Sequence, residues 1–127
     1  MLLPGENVLA SRIDTPGFFS KKTCIEKWNL NTGTLDNRFC HQGRNVIVSL
    51  AASLAAGRVA GFAAETHKSI EGQVYAVSGK IDVWDIKSES LIATSEDISQ
   101  PVSSLQMSSN GEWIMADQML FKLSITP

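Results

Sequence analysis

A six-residue pattern that occurs twice constrains this chain more than any other feature. Ile25-Glu26-Lys27-Trp28-Asn29-Leu30, with Leu35 five places on, matches Ile81-Asp82-Val83-Trp84-Asp85-Ile86 with Leu91. Both copies share Ile, an acid, Trp, Asn or Asp, an aliphatic and the distal Leu, and Trp84 follows Trp28 by 56 residues. A weaker third copy, Leu120-Phe121-Lys122-Leu123-Ser124-Ile125, puts Leu123 in the Trp position. A turn-then-strand motif keeps step with the first. Gly5-Glu6-Asn7-Val8, Gly57-Arg58-Val59-Ala60 and Gly111-Glu112-Trp113-Ile114 begin 52 and 54 residues apart. Units of this size that recur along one chain are the mark of a repeat architecture, in which each unit buries a face against its neighbours.

The units read as strands. Asn45 to Leu50 and Val102 to Met107 carry Val, Ile and Leu between small polar residues. Asn110-Gly111 suits a tight turn because both residues tolerate positive φ. Residues 81–85 partly alternate around Trp84, as a half-buried strand does. Asn31-Thr32-Gly33 and Lys87-Ser88-Glu89-Ser90 are polar turns at matching positions. No stretch combines helical periodicity with caps, so the expected class is all-β.

With Trp84-Asp85, its variant Trp28-Asn29, and the strand and turn Val102 to Gly111, the sequence resembles the WD-repeat family of β-propellers. Val46 to Gly57 matches more loosely, and the Gly-His dipeptide frequent in that family is missing. The resemblance implies an incomplete propeller arc of four-stranded antiparallel blades, with pieces near residues 5–30, 31–86 and 87–126. Its structural signature would be Trp28, Asn29, Trp84, Asp85, Gly57 and Gly111. The surplus length falls around residues 14–22 and 65–72, as long loops or extra hairpins. About two and a half blades cannot close a ring of the usual 4–8. The chain is therefore expected to be a segment of a larger propeller or a unit that joins other chains. Its C-terminal end should leave Trp113, Ile114, Met115, Leu120, Phe121, Leu123 and Ile125 uncovered, and the isolated chain should aggregate, self-associate or depend on the missing blades.

Candidate chemistry is sparse. Cys24, Cys40, His41 and His67 lack the close pairs of a zinc site, and Cys40-His41 are neighbours that a strand points to opposite faces. Buried free thiols are expected instead. Asp82, Asp85, Glu96, Asp97 and Asp117 are scattered, and Asp85 suits an Asx role in the turn after its strand. Gly57-Arg58 and Gly79-Lys80 lack phosphate-loop spacing. Trp28, Trp84 and Trp113 read as packing residues, with Trp113 the one candidate for an exposed anchor. Lys21, Lys22, His67 and Lys68 mark possible partner-contact loops. No catalytic, cofactor-binding or metal residue is expected.

Charge narrows the partners. Lys+Arg 11 against Asp+Glu 13 leaves no basic footprint for nucleic acid. Residues 46–64 are long enough to suggest a membrane span, but Arg58 at the middle and many Ala, Ser and Gly argue for two buried strands. Two cysteines make no disulfide framework, which suggests a reducing compartment, cytoplasmic or nuclear. The family resemblance implies a noncatalytic protein–protein interaction or scaffold module, such as a complex subunit or ubiquitin-ligase substrate adaptor. Its partners would be proteins or the remaining blades, with no small-molecule substrate. The alternative is a fragment of a propeller enzyme whose active site lies outside this segment.

Overall fold

The computed structural model describes residues 1–14, 22–41 and 45–123. Eleven strands and no helix occur among them. In chain order they are β1 (Leu2–Leu3), β2 (Asn7–Asp14), β3 (Lys22–Asn29), β4 (Thr34–Cys40), β5 (Val46–Ser53), β6 (Arg58–Lys68), β7 (Val74–Asp85), β8 (Leu91–Thr94), β9 (Leu105–Met107), β10 (Trp113–Ala116) and β11 (Met119–Lys122). They form three antiparallel sheets, β1-β2-β3-β4, β5-β6-β7-β8 and β9-β10-β11. The sheets end at residues 40 and 94, not at the repeat boundaries near 30 and 86. β4 and β8 each complete the sheet of the unit before them. The run at 46–64 folds as the β5–β6 hairpin.

The central sheet is buried on both faces, which explains its unusual run of Ala and Gly. From β6, Val59 and Ala63 join Trp84, Ile47 and the Leu9, Ile25 and Phe39 of the first sheet in one core. Ala60, Phe62 and Ala64 point the other way, with Ile81 and Val83, onto Leu105, Ile114 and Ala116 of the third sheet. This is period-two alternation with both sides dry. Gly61 faces the first sheet, where an added Cβ would lie 3.0 Å from both Ile25 Cδ1 and Ile47 Cγ2. The sheets stack closely there because that position has no side chain.

The two Trp motifs occupy the same place in successive sheets. Trp28 pairs with Leu35 and Trp84 with Leu91, and a register shift precedes each Trp, between Lys27 and Trp28 and between Val83 and Trp84. Beyond the shift, Glu26 meets Arg38 and Asp82 meets Thr94. The third sheet departs from the sequence alignment. Phe121 lies opposite Ile114 as Trp84 lies opposite Val59, so Phe121, not Leu123, takes the Trp position. A slip of two residues keeps the same face, and a hydrophobic pattern cannot detect it.

The surplus length in the central unit lengthens the β6–β7 hairpin, whose outer pairs run to Lys68 and Val74. Residues 15–21 of the corresponding first-unit hairpin lie outside the described residues.

Candidate interaction site

The signature residues are structural. Asp85 Oδ2 accepts hydrogen bonds from the Ser88 amide and hydroxyl, both 2.9 Å, and Asn29 Oδ1 accepts from the Asn31 amide at 2.9 Å. This is the turn-capping role expected of Asp85. The Ser88 amide, then its hydroxyl, hold the Asp85 carboxyl below its ordinary pKa. Gly57 and Gly111 sit at φ 69° and 71° in turns. Beside the Gly111 turn, Arg58 Nη1 donates to Gly111 O at 2.6 Å and Ser53 Oγ to Ser109 O at 2.7 Å, tying the central sheet to the third. Trp84 is buried between sheets against Phe39, with ring centroids 6.2 Å apart.

A polar joint connects the first and central sheets. His41, just after β4, contacts the Asp82 carboxylate through Nδ1, and Thr94 Oγ1 donates to the other carboxylate oxygen at 2.6 Å. Asp82 is buried. A buried carboxylate is tolerable only with such partners. The next connection repeats the placement, because Gln100 Nε2 reaches Met119 Sδ at 3.5 Å, and Met119 holds the Asp82 position in the third sheet. In the first sheet the corresponding acid is Glu26, which accepts from Trp28 Nε1 at 3.4 Å and pairs with Arg38 Nε at 3.8 Å.

Two expectations need correction. Cys24 and Cys40 are not free thiols but a disulfide across β3 and β4. The His41 amide bonds to Thr23 O, so the adjoining Cys24–Cys40 pair is a non-hydrogen-bonded one, where cross-strand side chains come closest. The compartment argument built on free thiols loses its premise. Ile114 is not uncovered: it packs fully buried against the central sheet, and Phe121 and Leu123 are partly buried there. Trp113, Met115 and Leu120 are exposed, while Ile125 lies outside the described residues.

The proposed partner-contact residues do not form one site. Lys21 lies outside the described residues, and Lys22 begins β3. His67 and Lys68 are strand residues of β6, not loop residues. They flank the tip of the long hairpin, where Ile70, Val74 and Tyr75 are exposed and His67 sits 3.5 Å from Glu65.

Sequence reasoning missed a cleft of about 500 Å³ between the outer edge of the central sheet and β11, lined on one side by Thr94 to Ile98 and on the other by Phe121 to Leu123. The repeat itself accounts for the space. Phe39 pairs with Ile25 in the first sheet, whereas the matching residue opposite Ile81 is Ser95. The Phe39–Trp84 ring pair at one interface therefore becomes Ser95 and Phe121 at the next. The signal was available, since aligning the two copies through Leu35 and Leu91 sets a large residue against a small one. No family model matches the chain, and no curated protein matches it at a significant level.

Proposed function

We propose that the chain is an arc of a WD-repeat-like β-propeller and acts as a noncatalytic protein-interaction and scaffold module. The observation that carries this reading is the outward face of the first sheet. Val8, Glu26 and Trp28 there stand in the register positions of Val59, Asp82 and Trp84, which in the central sheet are covered by a neighbouring sheet. A face patterned for covering, with a half-buried Trp, is a docking surface by construction. At the other end Trp113, Met115 and Leu120 are exposed, so both ends of the stack offer apolar area to protein partners or further blades. The joint of His41, Asp82 and Thr94 lies between sheets, where it holds blades together.

Sedimentation of the purified 127-residue chain tests the reading. Self-association is expected, with Trp28→Asp and Trp113→Asp variants shifted towards monomer. A monodisperse monomer with a sharp cooperative melt overturns it, because such a chain would close its core without further blades.

A further inference from the structure

Asn110-Gly111 is the one Asn-Gly pair in the sequence, and the turn that carries it does not require asparagine. Asn110 stays out of the positive-φ region. In the matching turn of the central sheet the Gly57 amide bonds to Leu54 O, as the Gly111 amide bonds to Ser108 O, and Ala56 stands where Asn110 does. What asparagine adds is a side-chain amide carbonyl next to a backbone nitrogen that no side chain shields. Asn110 is exposed to water, while Gly111 is buried. The closed turn keeps the two groups from reacting. Asn110 Oδ1 accepts from the Ser108 hydroxyl at 2.6 Å and from the Glu112 amide at 3.0 Å, and the Gly111 N–H is engaged by Ser108 O at 2.9 Å.

We propose that Asn110 is a site of spontaneous, one-way conversion to isoaspartate and aspartate, which unties the third sheet from the central sheet at a rate set by opening of its own turn. With the turn open, the Gly111 nitrogen attacks Asn110 Cγ. The N–Cγ bond forms, the Cγ–Nδ2 bond breaks, and the displaced amide proton leaves with Nδ2 as ammonia, so that a cyclic imide remains. Water then adds to either imide carbonyl. Addition at Cγ breaks the new bond and gives aspartate; addition at the Asn110 backbone carbon breaks the original peptide bond and gives isoaspartate, with the chain running through Cγ. Water is consumed as ammonia is released, and no oxidation state changes. The isoaspartyl backbone is longer by a methylene, in a turn without room for it. A Cβ on Gly111 would already lie 2.7 Å from Ala56 Cβ and 2.9 Å from Arg58 Cδ. The added group falls between the two carbonyls that tie the sheets together, Ser109 O to Ser53 and Gly111 O to Arg58. Lengthening the chain between them moves one carbonyl away from its partner when the other is in place.

The full chain and a synthetic peptide of residues Met107 to Trp113, aged side by side at mildly alkaline pH, supply the test. Peptide mapping by mass spectrometry follows conversion at position 110. Conversion should be slower in the chain than in the peptide, about tenfold or more, and by the same factor that slows hydrogen exchange of the Gly111 amide, because both reactions pass through the open turn. Ser108→Ala removes a donor to Asn110 Oδ1 and the acceptor of the Trp113 amide, and should speed conversion and exchange together. Conversion in the chain at the peptide's rate while Gly111 exchange stays slow overturns the proposal, as does faster exchange without faster conversion in the Ser108→Ala chain. Chain enriched in isoaspartate should unfold at a lower urea midpoint than fresh chain. Asn110→Asp, whose carboxylate can accept the same two bonds on a backbone of normal length, should not. Asn110→Ala, which copies Ala56, should lose no stability on ageing. An isoaspartyl chain that melts with the fresh one, or an Asn110→Ala chain that weakens on ageing as much as the wild type, overturns the untying of the sheets.

Discussion

Removing the Cys24–Cys40 bond tests how the first sheet is held. The bond joins positions 16 apart in sequence, at the ends of the β3–β4 hairpin, and Cys24 is fully buried. A cross-link of that span restricts the unfolded chain, and the loop-entropy relation gives about 3 kcal/mol for a loop of about 16 residues at 25 °C. Replacing both cysteines with alanine adds a small loss of packing. In a chain of this length, about 3 kcal/mol corresponds to a melting shift of roughly 10 °C. Thermal melts of the wild type, the reduced wild type and the Cys24→Ala/Cys40→Ala variant should therefore separate the first from the other two. Thiol titration of the unreduced, denatured protein should find no free thiol. Two reactive thiols, or coincident melts, would refute the reasoning.

Trp84→Ala should cost about 3–5 kcal/mol in urea melts, the range for emptying a large aromatic site, and Trp28→Ala clearly less, because Trp28 is only half-buried; equal losses would contradict the difference between the covered and uncovered faces. Thr94→Val removes one donor to the buried Asp82 carboxylate and should destabilise by about 1.5–3 kcal/mol, read by the same melts. Asp85 has a depressed pKa, so its contribution is present above the ordinary value of 3.8 and is lost as the pH falls through the lowered one. The stability difference between wild type and Asp85→Asn should accordingly shrink on acidification below pH 3.8; a difference that grows would reverse the sign of the argument.

The Trp-to-Trp repeat was legible because both copies keep residue type and spacing, and strand propensity did the rest. What remained hidden depends on one inserted residue. A hairpin with Trp28 opposite Leu35 and no bulge would set Cys24 opposite Phe39. The shift between Lys27 and Trp28 moves Cys40 into that place and brings Arg38 opposite Glu26. Sequence composition carries no mark of such a shift, although its recurrence before Trp84 shows that it belongs to the motif. His41 could not be joined to Asp82 from sequence because the contact crosses between sheets, 41 residues apart. For the third unit, alternation correctly separates Ile114 and Ala116 from Trp113 and Met115, yet it does not say which face finds a neighbour.

The placement of the central sheet between the other two also fixes how the molecule comes apart. The first and third sheets each have one interface, while β6 and β7 take part in both. Stability in such a stack is close to a sum of nearest-neighbour terms. Loss of the first sheet strips one face of the middle hairpin and leaves the other packed; loss of the third does the converse. Fraying therefore proceeds inward from either end by independent steps, and neither step forces the other. Loss of the middle hairpin strands both ends at once, so it defines the global transition. A lesion at Phe62 or Ile81 would be felt at the interface with the third sheet, and a lesion at Trp84 or Leu3 at the interface with the first.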